Sequence, residues 1–312
     1  MTRCISIFGP TASGKSALAL RLASDFHGAI ISADSMQIYQ SLDIGTAKPT
    51  PYERALCPHK MIDICPPDRL FSVYDYQRLA KCAICDVAKD GYLPIIVGGT
   101  GLYLDALFFN TDFGDFQINQ ELRESLRAKA SAVGYAALLE ELRLVDPDCA
   151  APLHPKDEKR ILRALEVYYA TGKPLSFYQN HSHQIQSEFS FLKCRLNFQN
   201  REQLYDRIHQ RIDQMMEAGL LAEANYVYEK LSPRATARQA IGYKEFFPYF
   251  EKNASLTECV DALKTATRHY AKRQITWFRR YPDATDIDMS DFERAYTTLA
   301  RAVKDYLQEE ST

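Results

Sequence analysis

The sequence predicts an α/β fold in which a parallel β-sheet is flanked by helices. In the first third of the 312-residue chain, short apolar runs alternate with stretches whose apolar residues recur at helical spacing. Glycine-rich turns join two of the predicted strands to the helices that follow them. This alternation is typical of a parallel sheet, whose ligand site lies at the carboxyl ends of the strands.

The predicted elements of this region follow one another closely. A helix after the first glycine-rich turn is indicated by Leu18, Leu22 and Phe26, which share one helix face. Strands are predicted at residues 3–8, 29–33, 61–64 and 93–97, the third with the weakest signal, and helices at 15–26, 73–89 and 102–109.

The composition changes after Asn110. Residues 111–119 are polar and loop-like, and residues 120–144 are charged and helical, so we predict a helical insertion domain at 114–149. The core then comprises residues 1–113 and 150–312. Within its second part, a helix is expected from Pro155 to Ala170, a strand at 191–198, and helices in the remainder, the last from about Ser290.

Composition excludes few functions. The chain is 46% hydrophobic and 25% charged with a net charge of −2, so nucleic-acid binding would have to use a local basic cluster. No apolar run reaches the roughly 18 residues that cross a bilayer. The eight cysteines are scattered, and Cys82-x-x-Cys85 lacks a second pair to complete a zinc site. With no secretory signal at the N-terminus, we expect plain thiols and a cytoplasmic protein.

The most specific motif is a phosphate-binding P-loop between the first strand and the first helix. Its backbone N–H groups and the helix N-terminus present positive charge to a phosphate, Lys15 reaches the terminal oxygens, and the Ser16 hydroxyl is placed to bind Mg²⁺. The motif predicts a diphosphate ligand on a P-loop NTPase-like core, without saying which one. It comprises Gly9, Pro10, Thr11, Ala12, Ser13, Gly14, Lys15 and Ser16.

Two further polar residues are predicted at strand ends beside this loop. Asp34 follows the second strand, where it is either a structural cap or indirect magnesium ligand, or an acceptor aimed at an incoming nucleophile. Thr100 lies in a Gly-Gly-Thr-Gly turn after the fourth strand, and its hydroxyl can donate to a leaving oxygen. Many P-loop ATPases carry an acidic residue there, so the missing carboxylate disfavours an ATPase.

A basic helix near the C-terminus is the candidate polyanion contact. Residues 268–280 hold five Arg and Lys residues around the only tryptophan, without an acidic residue. Arg201, Arg207 and Arg211 are instead expected to form an ordinary solvated helix face. The basic residues of 156–163 alternate with acidic ones, so by themselves they indicate nothing.

These motifs together resemble the tRNA dimethylallyltransferase family, also called tRNA isopentenyltransferases. The matches follow the family's order along nearly the whole chain. Two of them are specific to the family: Asp-Ile-Gly-Thr-Ala-Lys-Pro (43–49) and Lys-Arg-Gln-Ile-Thr-Trp (272–277). The others are the P-loop, Asp-Ser-Met-Gln-Ile-Tyr (34–39), Gly-Gly-Thr-Gly-Leu-Tyr (98–103), Lys-Arg-Ile-Leu-Arg (159–163), Thr-Gly-Lys-Pro (171–174) and Arg-Gln-Ala-Ile-Gly-Tyr (238–243). The zinc finger of eukaryotic members is absent, so the chain resembles the bacterial type.

The resemblance implies a mechanism. The P-loop holds dimethylallyl diphosphate and Mg²⁺, and the adenosine immediately 3′ of the tRNA anticodon is flipped out into a channel. Asp34 accepts a proton or hydrogen bond from the adenine amine as that amine attacks the allylic carbon. Thr100, Lys15 and Mg²⁺, with Arg238 as the candidate arginine, stabilise the leaving diphosphate. A monomer is the family expectation.

The resemblance also implies a set of tRNA contacts, of which Arg123 is the weakest because the insertion is poorly patterned. They are Asp34, Ser35, Met36, Gln37, Thr100, Arg123, Lys159, Arg160, Ile161, Leu162, Arg163, Arg238, Gln239, Ala240, Ile241, Gly242, Tyr243, Lys272, Arg273, Gln274, Ile275, Thr276, Trp277, Phe278 and Arg279.

Two alternatives remain at the level of sequence. A P-loop small-molecule kinase would share the loop, the lysine and the aspartate, but the aromatic and basic helix would have no role in it. A non-catalytic tRNA-binding protein with a vestigial loop would have no need of the intact pair Lys15 and Ser16 beside Asp34 and Thr100.

Overall fold

The computed structural model describes residues 1–110, 120–182 and 187–309, and the predicted loop at 111–119 lies outside these ranges. Two short 3-10 turns, Ala237–Gln239 and Lys244–Phe246, precede the short helix that begins at Phe247. The elements in chain order are β1 (Thr2–Phe8), α1 (Lys15–Asp25), β2 (Gly28–Ser32), α2 (Pro51–Leu56), β3 (His59–Lys60), α3 (Val73–Lys89), β4 (Leu93–Gly98), α4 (Gly101–Phe108), α5 (Gln120–Val145), α6 (Pro147–Ala150), α7 (Glu158–Thr171), α8 (Leu175–Ser182), β5 (Phe189–Asn197), α9 (Arg201–Glu217), α10 (Leu220–Lys230), α11 (Phe247–Phe250), α12 (Leu256–Phe278), β6 (Thr285–Asp288) and α13 (Phe292–Gln308).

Six parallel strands form one sheet in the order β3-β2-β4-β1-β5-β6. In its middle, Ile5 pairs with Ile95 and Ile7 with Val97, and β1 and β4 are almost entirely buried. Such continuous apolar strands are expected where helices cover both faces of a parallel sheet. Because β2, β4 and β1 are neighbours, the loops that follow them meet at one edge of the sheet. The predicted α/β class is confirmed.

The chain divides into two compact units. The first comprises residues 1–104 and 188–312 and contains the whole sheet. One of its apolar clusters, with Ile5, Leu18 and Leu196 among its members, includes residues of β1, α1 and β5. A second apolar cluster includes residues of α9, α10 and α12.

The second unit comprises residues 105–187, and all the regular secondary structure of its described part is helical. Its core contains Leu126, Leu138 and Leu142 from α5 together with Ile161 and Leu165 from α7. The predicted insertion at 114–149 lies inside this unit, and the unit additionally contains residues 105–113 and 150–187, which the sequence-based boundaries place in the core.

Two local predictions were wrong. Residues 61–64 do not form a strand, because Met61 and Asp63 have positive φ angles of 64° and 59°, which a strand cannot contain. The short β3 lies just before them, where His59 pairs with Ile30. The region after β5 is not wholly helical either, since β6 extends the sheet at its edge. The helix expected from Pro155 begins at Glu158 and ends, as predicted, at Gly172, whose φ is 71°.

All eight cysteines are free thiols. Cys4 and Cys194 are buried in β1 and β5, whereas Cys82 on α3 is exposed and Cys149 at the end of α6 is partly buried. Across the parts of the chain that the structure describes, no helix is both long and apolar enough to traverse a bilayer.

Candidate functional site

The P-loop joins β1 to α1 and leaves the first turn of α1 open. Gly14 precedes the helix with a φ of 89°, a left-handed conformation that glycine adopts without strain. No side chain caps the N-terminus of α1, and no acidic residue lies in its first turn. The Ser13 hydroxyl is buried in the loop and has no hydrogen-bond partner within the described ranges. Open N–H groups and an unsatisfied hydroxyl are features of an anion site.

Lys15 lies folded against this loop. Its ammonium donates to the carbonyl oxygens of Gly9, at 3.0 Å, and Pro10, at 2.7 Å. Burial and, to a smaller extent, the nearby Arg211 cation lower the pKa of Lys15 to about 7, although the Asp34 carboxylate opposes both effects. A bound phosphate would favour the charged amine, because an anion at short range stabilises a cation that has lost its water.

Asp34 lies beyond the end of β2 and lines the same cleft as the P-loop. One carboxylate oxygen accepts a hydrogen bond of 2.8 Å from the backbone N–H of Met36, which closes a short turn. The carboxylate also lies near Lys15 and Arg211, where it partly offsets the lowering of the pKa of both groups by burial. Asp34 therefore has the structural role of a cap and, in addition, faces the two cations of the site.

Two arginines of α9 complete the cationic side of this cleft. Arg207 donates from Nε to the carbonyl oxygen of Ala12 at 3.0 Å, and both Arg207 and Arg211 line the cleft. Burial lowers the pKa of Arg211, and the Asp34 carboxylate raises it again. The prediction of an ordinary solvated face was therefore wrong for Arg211, which is half-buried, whereas Arg207 and Arg201 on the same helix are exposed. The spacing of four does place Arg207 and Arg211 on one helix face, but only packing shows what that face meets.

Thr100 links two of the loops at the edge of the sheet. Its hydroxyl accepts a hydrogen bond of 2.9 Å from the N–H of Ser35 and donates to the Ser35 hydroxyl at 3.3 Å. The loop after β4 is thereby tied to the loop that carries Asp34. The predicted role of Thr100 toward a leaving oxygen stays a prediction.

The loop 43–48 forms another wall of the cleft, and the carboxylate of Glu223 on α10 holds it. That carboxylate accepts hydrogen bonds from the backbone N–H groups of Asp43, Ile44 and Gly45, at 2.8, 2.9 and 2.8 Å, and from the phenol of Tyr243 at 2.8 Å. A Cβ on Gly45 would lie 2.6 Å from the Tyr243 ring, so only glycine fits there.

Arg238 lies elsewhere. Its guanidinium donates to the carbonyl oxygens of Val227, at 3.2 Å, of Leu231, at 3.0 Å, and of Tyr228. It also stacks over the rings of Tyr228 and Phe247. These carbonyls end α10, so Arg238 neutralises the negative end of a helix. The structure therefore does not place Arg238 at the P-loop as predicted; the arginine that faces Lys15 and Asp34 is Arg211.

The cleft has a volume of about 940 Å³. The P-loop, Asp34, Gly98 and Gly99, the two α9 arginines and the loop 43–48 all contribute to its lining. Within residues 1–110, 120–182 and 187–309, no group of three or more His, Cys, Asp and Glu side chains could hold a metal ion. A metal here would have to take most of its ligands from a bound substrate and from water.

A family model described as IPP transferase matches residues 37–281, which is more than half of the chain. The chain belongs to the IPP transferase family. A second model, described as Isopentenyl transferase, matches residues 2–56 and so includes the P-loop. The resemblance inferred from the sequence motifs is confirmed.

Relatives within the IPP transferase family match the chain along almost its whole length. A tRNA dimethylallyltransferase of Thermoanaerobacter sp. (strain X514) is 46% identical over 305 residues, which cover 97% of this chain and 96% of the relative. The tRNA dimethylallyltransferase of Halalkalibacterium halodurans is 40% identical over 311 residues, with 99% of each chain covered.

Solved structures of the family have the same fold. The full-length tRNA isopentenylpyrophosphate transferase from Bacillus halodurans gives a TM-score of 0.74 at 39% identity and covers 100% of this chain and 98% of its own. A eukaryotic dimethylallyltransferase solved acting on tRNA gives a TM-score of 0.83 at 32% identity and covers 98% of this chain and 80% of its own.

The IPP transferase residues predicted to contact tRNA from α12 divide between two faces of that helix. Lys272, Arg273, Thr276 and Arg279 are exposed, Ile275 and Trp277 are half-buried, and Gln274 and Phe278 are buried. The exposed set forms a basic face, as a polyanion contact requires. The buried pair cannot present side chains to a tRNA.

The segment 238–243 of the IPP transferase motif contributes mostly to the interior of the first unit. Ala240, Gly242 and Tyr243 are buried, Arg238 and Ile241 are half-buried, and Gln239 is exposed. Ser35, Met36 and Gln37 are half-buried beside Asp34, and the Gln37 amide donates to the carbonyl oxygens of Thr46, at 3.3 Å, and Ala47, at 3.1 Å.

In the second unit, Lys159 and Arg160 are exposed at the start of α7, whereas Ile161 and Leu162 are buried in its core. Arg123 forms a two-pronged ion pair with the buried Glu166, at 2.5 and 2.8 Å, and Arg163 lies 3.7 Å from the same carboxylate. Of the predicted tRNA contacts in this unit, Lys159 and Arg160 are the residues with exposed charge, and Arg123 stabilises the fold.

Proposed function

We propose that this protein transfers the dimethylallyl group of dimethylallyl diphosphate to N6 of the adenosine immediately 3′ of the anticodon in tRNA. The products are N6-(dimethylallyl)adenosine and diphosphate. Family membership supports the reaction class, and one observation supports its location: Lys15, Arg211 and Asp34 meet in a single cleft built on the P-loop. Two cations suit the diphosphate, and one carboxylate suits the amine that attacks the allylic carbon.

The diphosphate is held by the N–H groups of the P-loop and the α1 N-terminus, with Lys15 and Arg211 on its outer oxygens. As the C–O bond of the allyl group breaks, the electron pair remains on the bridging oxygen. Preorganised cations around that oxygen lower the barrier, because charge develops there in the transition state. Thr100, at the end of β4, is the candidate neutral donor.

Asp34 acts on the nucleophile. The N6 amine of adenine is weakly nucleophilic, so its alignment with the allylic carbon matters more than its basicity. Asp34 accepts a hydrogen bond from that amine and stabilises the positive charge that it acquires as the N–C bond forms. The amine then loses one proton, either to Asp34 or to solvent.

We further propose that the enzyme uses Mg²⁺. Ser16 lines the cleft at the start of α1. A hydroxyl, substrate oxygens and water form a donor set that suits Mg²⁺, which takes few protein ligands. When bound, the ion would neutralise diphosphate charge and improve the leaving group.

The tRNA is bound through the exposed basic residues of α12 and through Lys159 and Arg160 of α7. Salt-dependent contacts to phosphates provide most of the affinity in such complexes. We propose a cytoplasmic monomer, because the substrate is tRNA and one chain carries every residue of the proposed site.

The experiment is an incubation of the protein with dimethylallyl diphosphate, Mg²⁺ and unmodified tRNA, with Lys15→Ala as the matched control. We expect prenylated adenosine in nuclease digests from the wild type and much less from the variant. Adding ATP should compete weakly. Robust ATP hydrolysis without tRNA would favour a small-molecule kinase, and tRNA binding without any product would favour a non-catalytic binder.

A further inference from the structure

Gln274 of α12 bonds to two loops of the active-site cleft at once. Its side chain is 5% exposed, and its amide oxygen accepts a hydrogen bond of 2.8 Å from the N–H of Thr11 in the P-loop. Its amide nitrogen donates to the carbonyl oxygen of Gly99 at 2.8 Å, in the loop after β4. A single amide thus spans the carboxyl ends of β1 and β4.

The contact between α12 and the loop after β4 leaves no spare space. A Cβ on Gly99 would lie 2.3 Å from the amide nitrogen of Gln274, and a Cβ on Gly101 would lie 2.3 Å from the indole of Trp277. Glycine at both positions lets the helix approach the loop backbone directly. A displacement of the helix at Gln274 would therefore also move this loop.

Tyr270, one turn before Gln274, lies beside the same network. Burial raises the pKa of its phenol, and the nearby side chains of Thr100 and Gln274 oppose that effect. Thr100 in turn accepts the N–H of Ser35, the residue after Asp34. The inner face of α12 is thereby connected to all three loops that carry the proposed catalytic groups: the P-loop, the loop of Asp34 and the loop of Thr100.

From this geometry we infer that Gln274 is a positioning residue for the reaction: it sets the distance between the P-loop and the Thr100 loop. The inference rests on the proposed function. It assigns Gln274 to the interior of the site and not to the tRNA surface, because both ends of its amide are engaged and buried. The neighbouring Lys272 and Arg273 face outward from the same helix.

Two substitutions of Gln274 distinguish its hydrogen bond from Thr11 from its hydrogen bond to Gly99. Gln274→Met keeps the length and removes both hydrogen bonds. Gln274→Glu keeps an acceptor for Thr11 but sets a carboxylate oxygen against the Gly99 carbonyl, and a protonated Glu can donate there again. Gln77→Met, which replaces another buried glutamine on α3, is the matched control for the loss of a buried amide.

We expect the single-turnover rate of Gln274→Met, at saturating tRNA and dimethylallyl diphosphate, to fall by roughly 10- to 100-fold, since a 1 Å misplacement of reacting groups can cost about 10². Its tRNA affinity should stay at the wild-type value, and its affinity for inorganic diphosphate with Mg²⁺, measured by calorimetry, should fall. The rate of Gln274→Glu relative to wild type should rise as the pH falls. Gln77→Met should keep the wild-type rate even where its melting temperature drops.

Wild-type rates in both Gln274 variants would overturn the inference, as would equal losses of rate in Gln274→Met and Gln77→Met at equal melting temperatures. A loss of tRNA affinity that matches the loss of rate would return Gln274 to the tRNA surface. If the wild-type protein formed no prenylated adenosine, the proposed function would fail, and the diphosphate titration would still decide whether Gln274 shapes the P-loop.

Discussion

Replacing Asp34 by asparagine separates the charge of this side chain from its structural hydrogen bond. The carboxylate oxygen that accepts the N–H of Met36 at 2.8 Å has a counterpart in the asparagine carbonyl, so the turn after β2 is preserved. The negative charge that partly offsets the lowered pKa of Lys15 and of Arg211 is lost. Asp34→Ala removes both the charge and the acceptor.

The expected magnitudes differ for stability and for catalysis. Loss of the bond to Met36 in Asp34→Ala should lower the free energy of unfolding by about 0.5–1.5 kcal/mol, the usual net value of one hydrogen bond. Loss of a group that assists proton transfer should slow the chemical step by about 10²–10⁴. That factor corresponds to about 2.7–5.4 kcal/mol in the activation free energy.

Diphosphate affinity provides an independent test of the role of Asp34. The carboxylate faces the same two cations that bind the diphosphate, so removing its negative charge removes a repulsion between the carboxylate and the diphosphate. Asp34→Asn should therefore bind inorganic diphosphate at least as tightly as the wild type, while its single-turnover rate drops. Rapid-quench assays at saturating tRNA and calorimetric titrations measure the two quantities.

Near wild-type turnover in Asp34→Asn would mean that the side chain only orients the base. Near wild-type turnover in Asp34→Ala as well would refute the assignment of the catalytic carboxylate. A large loss of diphosphate affinity in Asp34→Asn would contradict the electrostatic reasoning, because it would mean that the charge supports the ligand instead of repelling it.

Other substitutions test the remaining parts of the site. Arg211→Ala should weaken diphosphate binding by about tenfold to a hundredfold, since a hydrogen bond to a charged group contributes about 1.5–3 kcal/mol; a similar loss in the exposed control Arg201→Ala would discredit this. The double variant Arg273→Ala with Arg279→Ala should lower tRNA affinity and reduce the slope of log affinity against log salt by about 0.7–0.9 per lost contact. An unchanged salt titration would mean that the basic face of α12 is an ordinary solvated face. Glu223→Gln should raise the Michaelis constants and lower the melting temperature, because an amide satisfies fewer of the N–H groups of the loop 43–48. Wild-type values for both would show that the loop keeps its conformation without the carboxylate.

The sheet and the P-loop were predictable because their determinants are local. A buried apolar strand, a glycine loop and a helix follow one another within residues 2–25, so sequence order equals spatial order. Asp34 and Thr100 were also predictable, since each follows a strand and the ends of parallel strands meet. β6 was missed because Thr285–Asp288 alternates polar residues at the sheet edge and lacks an apolar run.

The contacts of Arg211, Glu223 and Gln274 were not predictable, because their partners are remote in sequence. Thr11 and Gln274 are 263 residues apart, and Gly45 and Glu223 are 178 residues apart. An arginine on a polar helix has the same sequence pattern whether its helix faces solvent or a phosphate loop. Arg238 shows the reverse case: a motif arginine that the fold uses to end a helix.

The distribution of the thiols makes the protein a candidate for native-state thiol-exchange measurements without engineered labels. Burial raises the pKa of Cys4 and of Cys194 to about 12, so these thiols of the central sheet would react only when β1 or β5 is exposed. Cys149 belongs to the second unit, and burial raises its pKa to about 11. If the second unit opens independently, Cys149 should be modified before the two strand thiols, while Cys82 reacts at once and calibrates the reagent.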